Sequence, residues 1–136
     1  MSQWTHVVGC IRVDGIPGMG DGRTLDSIKA ILGPEDLFDA PNEDCTLPTG
    51  SEGSLQYRIV EYDSGMRWLA ITIWGDLRSY DSIDEIEEWF KTTLKKIDWI
   101  RDAVLRVEVS GVECAVLLAT RGSFSRVPIP LPPVVE

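Results

Sequence analysis

Chemistry has few places to reside in this chain. Its single histidine, His6, is the one side chain whose ordinary pKa suits general acid–base work near neutral pH. It stands in an alternating segment, Trp4-Thr-His-Val-Val-Gly-Cys-Ile-Arg-Val-Asp14, where a histidine more often serves structure. No nucleophile is marked beside it. Glu61 and Glu113 are lone carboxylates. The three cysteines, Cys10, Cys45 and Cys114, are odd in number, widely spaced and without a CxxC motif. They read as reduced, small structural residues. A four-ligand zinc site is hard to assemble around one histidine. The sequence therefore assigns no catalytic residue, no metal ligand and no cofactor.

Binding chemistry is better represented. Trp4, Trp68 and Trp74 accompany His6, Arg58 and Arg78 on segments that read as strands or strand ends, and Trp and Arg are enriched at binding hot spots. Gly50, Ser51 and Glu52 lie in a Gly/Ser-rich turn, Thr49–Ser54, whose backbone N–H groups can face an anion. This is no P-loop, because it lacks the Gly-Lys-Ser/Thr ending and does not lead into a helix. A tight entry into the following strand is the simpler account. Gly75-Asp-Leu-Arg78 either brings Arg78 toward that turn or pairs it with an acid at the start of the next helix, the latter again being simpler.

These residues need elements to hold them. Leu69, Ile71 and Ile73 alternate with Trp68, Ala70, Thr72 and Trp74, which predicts a strand with an aliphatic core face. Ile83, Ile86, Trp89, Phe90, Leu94 and Ile97 recur at helical spacing, and Ser82 with Glu85 matches a capping box, so a helix is expected from Ser82. Trp4–Asp14 reads as a first strand, and Thr24 as the cap of a short helix stopped by Gly33 and Pro34. Ser54–Tyr62 reads as a second strand joined to the Met66 strand by Asp63-Ser64-Gly65. Ile100–Val109 and Cys114–Ala119 read as the last two strands. Val127-Pro-Ile-Pro-Leu-Pro-Pro133 excludes a helix and predicts an extended tail.

The order strand, helix, strand, strand, helix, strand predicts an α+β, ferredoxin-like βαββαβ fold with an additional C-terminal edge strand and an extended proline-rich tail. A single α+β sandwich domain is expected over residues 1–120, with the tail at 121–136. Both helices would cover one face of an antiparallel sheet. The other face would carry Trp4, His6, Arg12, Arg58, Tyr62, Trp68, Thr72 and Trp74, too aromatic a set for plain solvent exposure. Loops or the tail could cover it, a second copy could pack on it, or a foreign ligand or protein could bind there.

Composition narrows the classes. A hydrophobic fraction of 43% and a charged fraction of 26% are those of an ordinary globular domain. No apolar run reaches membrane-spanning length, and Met1-Ser-Gln-Trp-Thr-His6 lacks a basic region followed by an apolar one, so no secretory signal is expected. A net charge of −9 disfavours nucleic acid as a partner and permits a basic protein surface. The absence of a basic, glycine-containing RNP pattern also argues against an RNA platform.

Trp4-Thr-His-Val with Ile11 and Asp14, Leu47-Pro-Thr-Gly-Ser-Glu-Gly-Ser-Leu55 and Ile73-Trp-Gly-Asp-Leu-Arg78 resemble, as a set, segments of small uncharacterised proteins encoded by bacteriophages and prophages. The resemblance spans most of the chain except the tail. It implies a bacterial cytoplasmic setting and an accessory role, such as counter-defence, and it assigns no site residue. The expectation that follows is a non-catalytic binding protein that blocks a host protein or sequesters a small, nucleotide-like ligand, and that forms a homodimer or higher homo-oligomer. Two alternatives stand beside it. One is a small dimeric ferredoxin-like enzyme acting on a small molecule with His6 as acid–base. The other is a structural or assembly protein.

Overall fold

A computed structural model describes residues 4–14, 25–33, 47–48, 53–61, 68–78, 80, 82–97 and 100–131, with the backbone alone at 25–27, 61 and 68. In chain order the elements are β1 (Trp4–Asp14), α1 (Leu25–Leu32), β2 (Leu55–Glu61), β3 (Trp68–Arg78), α2 (Asp84–Lys96), β4 (Ile100–Val109), β5 (Glu113–Thr120) and β6 (Ser123–Pro128). The strands form one sheet in the order β2-β3-β1-β4-β5-β6, and every neighbouring pair is antiparallel. The fold is therefore α+β, mostly antiparallel sheet with two helices.

Alternation decides the two faces. The inward set includes Val7, Ile11 and Val13 of β1, Leu55 and Tyr57 of β2, and Leu69, Ile71, Ile73 and Leu77 of β3. Leu105, Val107 and Val109 of β4 and Ala115, Leu117 and Ala119 of β5 continue it. Ile28 and Leu32 of α1 and Ile86 and Phe90 of α2 join the same buried cluster, so the helices cover this face. Tyr57 ties the layers together: its buried hydroxyl donates to the carbonyl of Gly33, at the end of α1.

Three features depart from the sequence reading. The described residues form six strands, not five. The edge strand is β6, so part of the expected tail pairs with β5 from Ala115↔Pro128 to Thr120↔Ser123, and a boundary at 120/121 would cut through this hairpin. The reason is alternation hidden beside prolines: Phe124 and Arg126 point inward, where the Phe124 ring meets the Phe90 ring edge-on at 6.5 Å. Pro128 is tolerated because an edge strand can forgo an N–H.

Third, α2 begins at Asp84 rather than Ser82, and no side-chain cap is made at its N-cap residue, Ile83. Instead the Asp84 N–H donates to Ser82 Oγ at 3.2 Å, and the Ile83 N–H donates to Glu113 Oε1 of β5 at 3.0 Å. A carboxylate from the sheet thus satisfies a helix-start donor, the Ile83 N–H, that a Ser82–Glu85 capping box would not have reached. Among the described residues no helix is long and apolar enough to cross a membrane.

Candidate functional site

The outward face of the sheet is not covered by the helices. Among the described residues, eight large hydrophobic side chains are exposed, and six of them, Val8, Val60, Trp74, Val104, Leu118 and Val127, project from this face. Register aligns them in rows. Trp74, Val8, Arg106, Val116 and Val127 lie across β3, β1, β4, β5 and β6, and Thr72, Cys10, Val104, Leu118 and Ser125 form the next row. Val8 is 54% exposed and Trp74 39%, so among the described residues this apolar surface is open. Burial nevertheless pushes the Cys10 thiol up from its ordinary pKa, with Asp102 adding to the rise and Arg12 opposing it.

A polar cluster closes one end of this face. Cross-strand pairing sets Asp76 of β3 opposite His6 of β1, and His6 opposite Glu108 of β4. Asp76 Oδ1 lies 2.6 Å from His6 Nδ1, and Ser110 Oγ, in the turn after β4, lies 3.0 Å from His6 Nε2. An ionised carboxylate only accepts, so Nδ1 donates to Asp76, and in the neutral ring Nε2 accepts from the Ser110 hydroxyl. Glu108 is held separately by Arg106, Nη2 to Oε1, at 3.1 Å.

The backbone fixes these positions closely. The Ser110 N–H donates to the Trp4 carbonyl at 3.0 Å, and the Val112 N–H closes the turn onto the Val109 carbonyl at 2.9 Å. Trp4 pairs across to Arg78, whose guanidinium carbon sits 6.0 Å from the Trp4 ring centre. Gly53, with φ of +76°, lies directly against the Asp76 carbonyl and next to the Trp4 ring, where a side chain would clash with backbone. The chain just before β2 is thereby seated against Trp4 and Asp76.

Of the residues singled out from sequence, Trp4, His6 and Arg78 come together here, with Trp74 one row further along the same face. Arg58 lies two rows from Asp76 on the edge strand β2, opposite Thr72, and does not join the cluster. The side chain of Trp68 and the whole of Gly50, Ser51 and Glu52 fall outside the described residues. Sequence reasoning missed Asp76 and Ser110 as partners of His6. Asp76 had a signal, since alternation places it on the Trp74–Arg78 face. Ser110 had none beyond Ser-Gly at a turn.

The remaining chemistry is structural or remote. Arg12 of β1 donates through Nε to Asp102 Oδ1 of β4 at 2.6 Å and through Nη2 to Oδ2, and this pairing holds the Asp102 carboxyl below its ordinary pKa. Away from the polar cluster, a cavity of about 550 Å3 is lined by Leu94, Ile97, Ile100, Ala119 and Phe124 with Lys91, Lys95 and Arg121, and it contains none of the residues expected to bind. Among the described residues no group of three or more His, Cys, Asp or Glu side chains is placed to hold a metal ion. Comparison with protein-family models, with curated proteins and with solved structures finds no match to this chain.

Proposed function

We propose that this chain acts by binding: the open sheet face docks a protein whose matching apolar patch is set in basic surroundings, as an accessory protein that blocks a host factor would. The observation that carries this reading is the placement of Val8, Val60, Trp74, Val104, Leu118 and Val127 on one uncovered face. Five strand spacings make the face about 24 Å wide and eight residues make it about 27 Å long. That is on the order of 650 Å2, close to the ~800 Å2 per partner of a standard interface. Charge selects between occupants. Two copies each carrying −9 repel as they approach, whereas a basic partner is steered in.

The fold is read here as ferredoxin-like with a two-strand extension. Its support is the element order β1-α1-β2-β3-α2-β4 together with the order β2-β3-β1-β4 in the sheet, to which β5 and β6 add. The phage-type, counter-defence setting rests on the resemblance of the Trp4, Leu47 and Ile73 segments, two of which, with Gly53 of the third, meet at the polar end of the sheet.

Sedimentation velocity at micromolar protein tests the occupant. A monomer is expected, and a stable dimer that Val104→Glu dissociates would assign the face to a second copy and overturn the proposal. A partner captured from a bacterial lysate must be basic, must be released by moderate salt and must be lost with Val104→Glu. Capture that survives this substitution places the interface elsewhere.

A further inference from the structure

The hydrogen-bonded series Asp76–His6–Ser110 goes beyond binding. We propose that it is a nucleophilic acyl-transfer centre, acting on carboxylic esters whose apolar group rests on Val8 and Trp74. The roles follow from the atoms. Asp76 orients the ring by accepting from Nδ1 at 2.6 Å, which leaves Nε2 facing the Ser110 hydroxyl at 3.0 Å. A hydroxyl is a weak nucleophile until an adjacent base takes its proton, and a nucleophile, base and orienting acid within hydrogen-bond reach are the geometric signature of that activation.

Stability does not account for the arrangement. The His6 side chain is 43% exposed and that of Asp76 63%, and exposed polar pairs add little to folding. The nucleophile also has room. Ser110 is followed by Gly111, with φ of +74° and open space where a side chain would begin. The Gly111 N–H stands one residue past the nucleophile, the position from which a backbone donor meets the developing oxyanion in hydrolases with a nucleophile elbow. Beside His6 on the same face, Val8 pairs with Trp74 and offers an apolar floor.

The reaction balances with water as the only co-reactant. Ser110 Oγ attacks the ester carbonyl carbon while its proton passes to His6 Nε2. The carbon–oxygen bond to the alcohol breaks, and the departing oxygen takes that proton. Water then attacks the acyl-Ser110 carbon, giving a proton to Nε2. Ser110 Oγ leaves, recovers the proton, and the acid is released. Asp76 touches neither substrate nor reacting atom and is a positioning residue.

An alkyl fluorophosphonate, which captures activated serines, tests the proposal on the intact chain, read by whole-protein mass and peptide mapping. One adduct on Ser110 is expected, with turnover of p-nitrophenyl butyrate that Ser110→Ala abolishes. His6→Ala should slow labelling by about 100-fold or more. Asp76→Asn should slow it at least tenfold with an unchanged melting temperature, a split that a purely structural role would not give. The proposal is overturned if Ser110 stays unlabelled at a probe concentration that modifies a control serine hydrolase. It is equally overturned if His6→Ala labels as fast as wild type, or if Ser110→Ala keeps its turnover, which would make the imidazole the nucleophile. None of these outcomes depends on whether the apolar face docks a protein, since the probe is a small molecule and the readout is a covalent bond.

Discussion

Arg126 is the test of whether β6 belongs to the domain. Its guanidinium donates to Asp84 Oδ1 at 2.8 Å, to Glu87 Oε2 at 3.3 Å and to Glu113 Oε2 at 3.1 Å. It thereby joins β6 to the first turn of α2 and to the carboxylate that accepts the Ile83 N–H. Arg126→Met keeps the stem and leaves Phe124 packed on Phe90, so it isolates the charged contacts. Asp84 is mostly exposed and contributes little. Glu87 and Glu113 are more buried, and each loses a charge-assisted hydrogen bond whose full worth of 1.5–3 kcal/mol is discounted by partial exposure to about 1 kcal/mol. The expected cost is about 2 kcal/mol, or a fall in melting temperature of roughly 8 °C for a chain of this size. Urea titration followed by tryptophan fluorescence measures it. The loss should shrink in high salt, because part of it is repulsion among three carboxylates left without their cation. A variant within 0.5 kcal/mol of wild type would refute the reasoning.

Other outcomes follow from single contacts. Tyr57→Phe removes the buried hydroxyl that donates to the Gly33 carbonyl, and chemical denaturation should show a loss of about 1–3 kcal/mol for the acceptor left unsatisfied. Because Arg12 holds the Asp102 carboxyl below its ordinary pKa, that pair stabilises the fold above the carboxylate's unfolded pKa of about 3.9, and the contribution fades as pH falls through the lower folded value. Urea midpoints of wild type and Asp102→Asn should therefore differ by a constant amount above about pH 5 and draw together as pH falls below the carboxylate's unfolded pKa. Burial raises both the Cys10 and Cys114 thiols, so in a Cys45→Ser background both should alkylate more slowly than free cysteine at pH 7.5 and at ordinary rates in denaturant.

Local signals account for what the sequence made legible. β1, β3 and α2 carry periodicity over eleven, eleven and thirteen residues; of the residues it marks as inward, Leu69, Ile71, Ile73, Ile83, Ile86, Phe90 and Ile97 are buried, and Trp89 and Leu94 are partly so. β6 was hidden because Pro128, Pro130, Pro132 and Pro133 dominate the local reading, while the alternation of Phe124 and Arg126 is too short to stand against them. Ser110 was hidden for a different reason. It lies 104 residues from His6, and the two meet only because Thr5 pairs with Val109. Register between distant strands is set by the whole core and not by either segment. The cap of α2 repeats the lesson: Glu113 reaches Ile83 from 30 residues away, and no helix-start motif encodes it.

The same topology says how the molecule can associate. A sheet with exposed edges invites strand addition, yet β6 is only six residues long, ends in Pro128 and is anchored inward through Phe124 and Arg126. At the opposite edge β2 is seven residues long and presents Arg58, a charge that discourages pairing. Neither edge is a long, flat, hydrophobic template. The centre of the sheet is the reverse: Val8, Val104 and Leu118 stand exposed on β1, β4 and β5, away from either edge strand. A protein selected merely to stay soluble would place its lysines and glutamates there, as it does on the outer side of α2 with Glu85, Glu88, Lys95 and Lys96. On the proposed binding reading, guarded edges beside an exposed apolar face leave side-chain contact across the face as the route of association. Converting Leu118 to Glu should then change partner binding while leaving the fold's stability within about 0.5 kcal/mol of wild type.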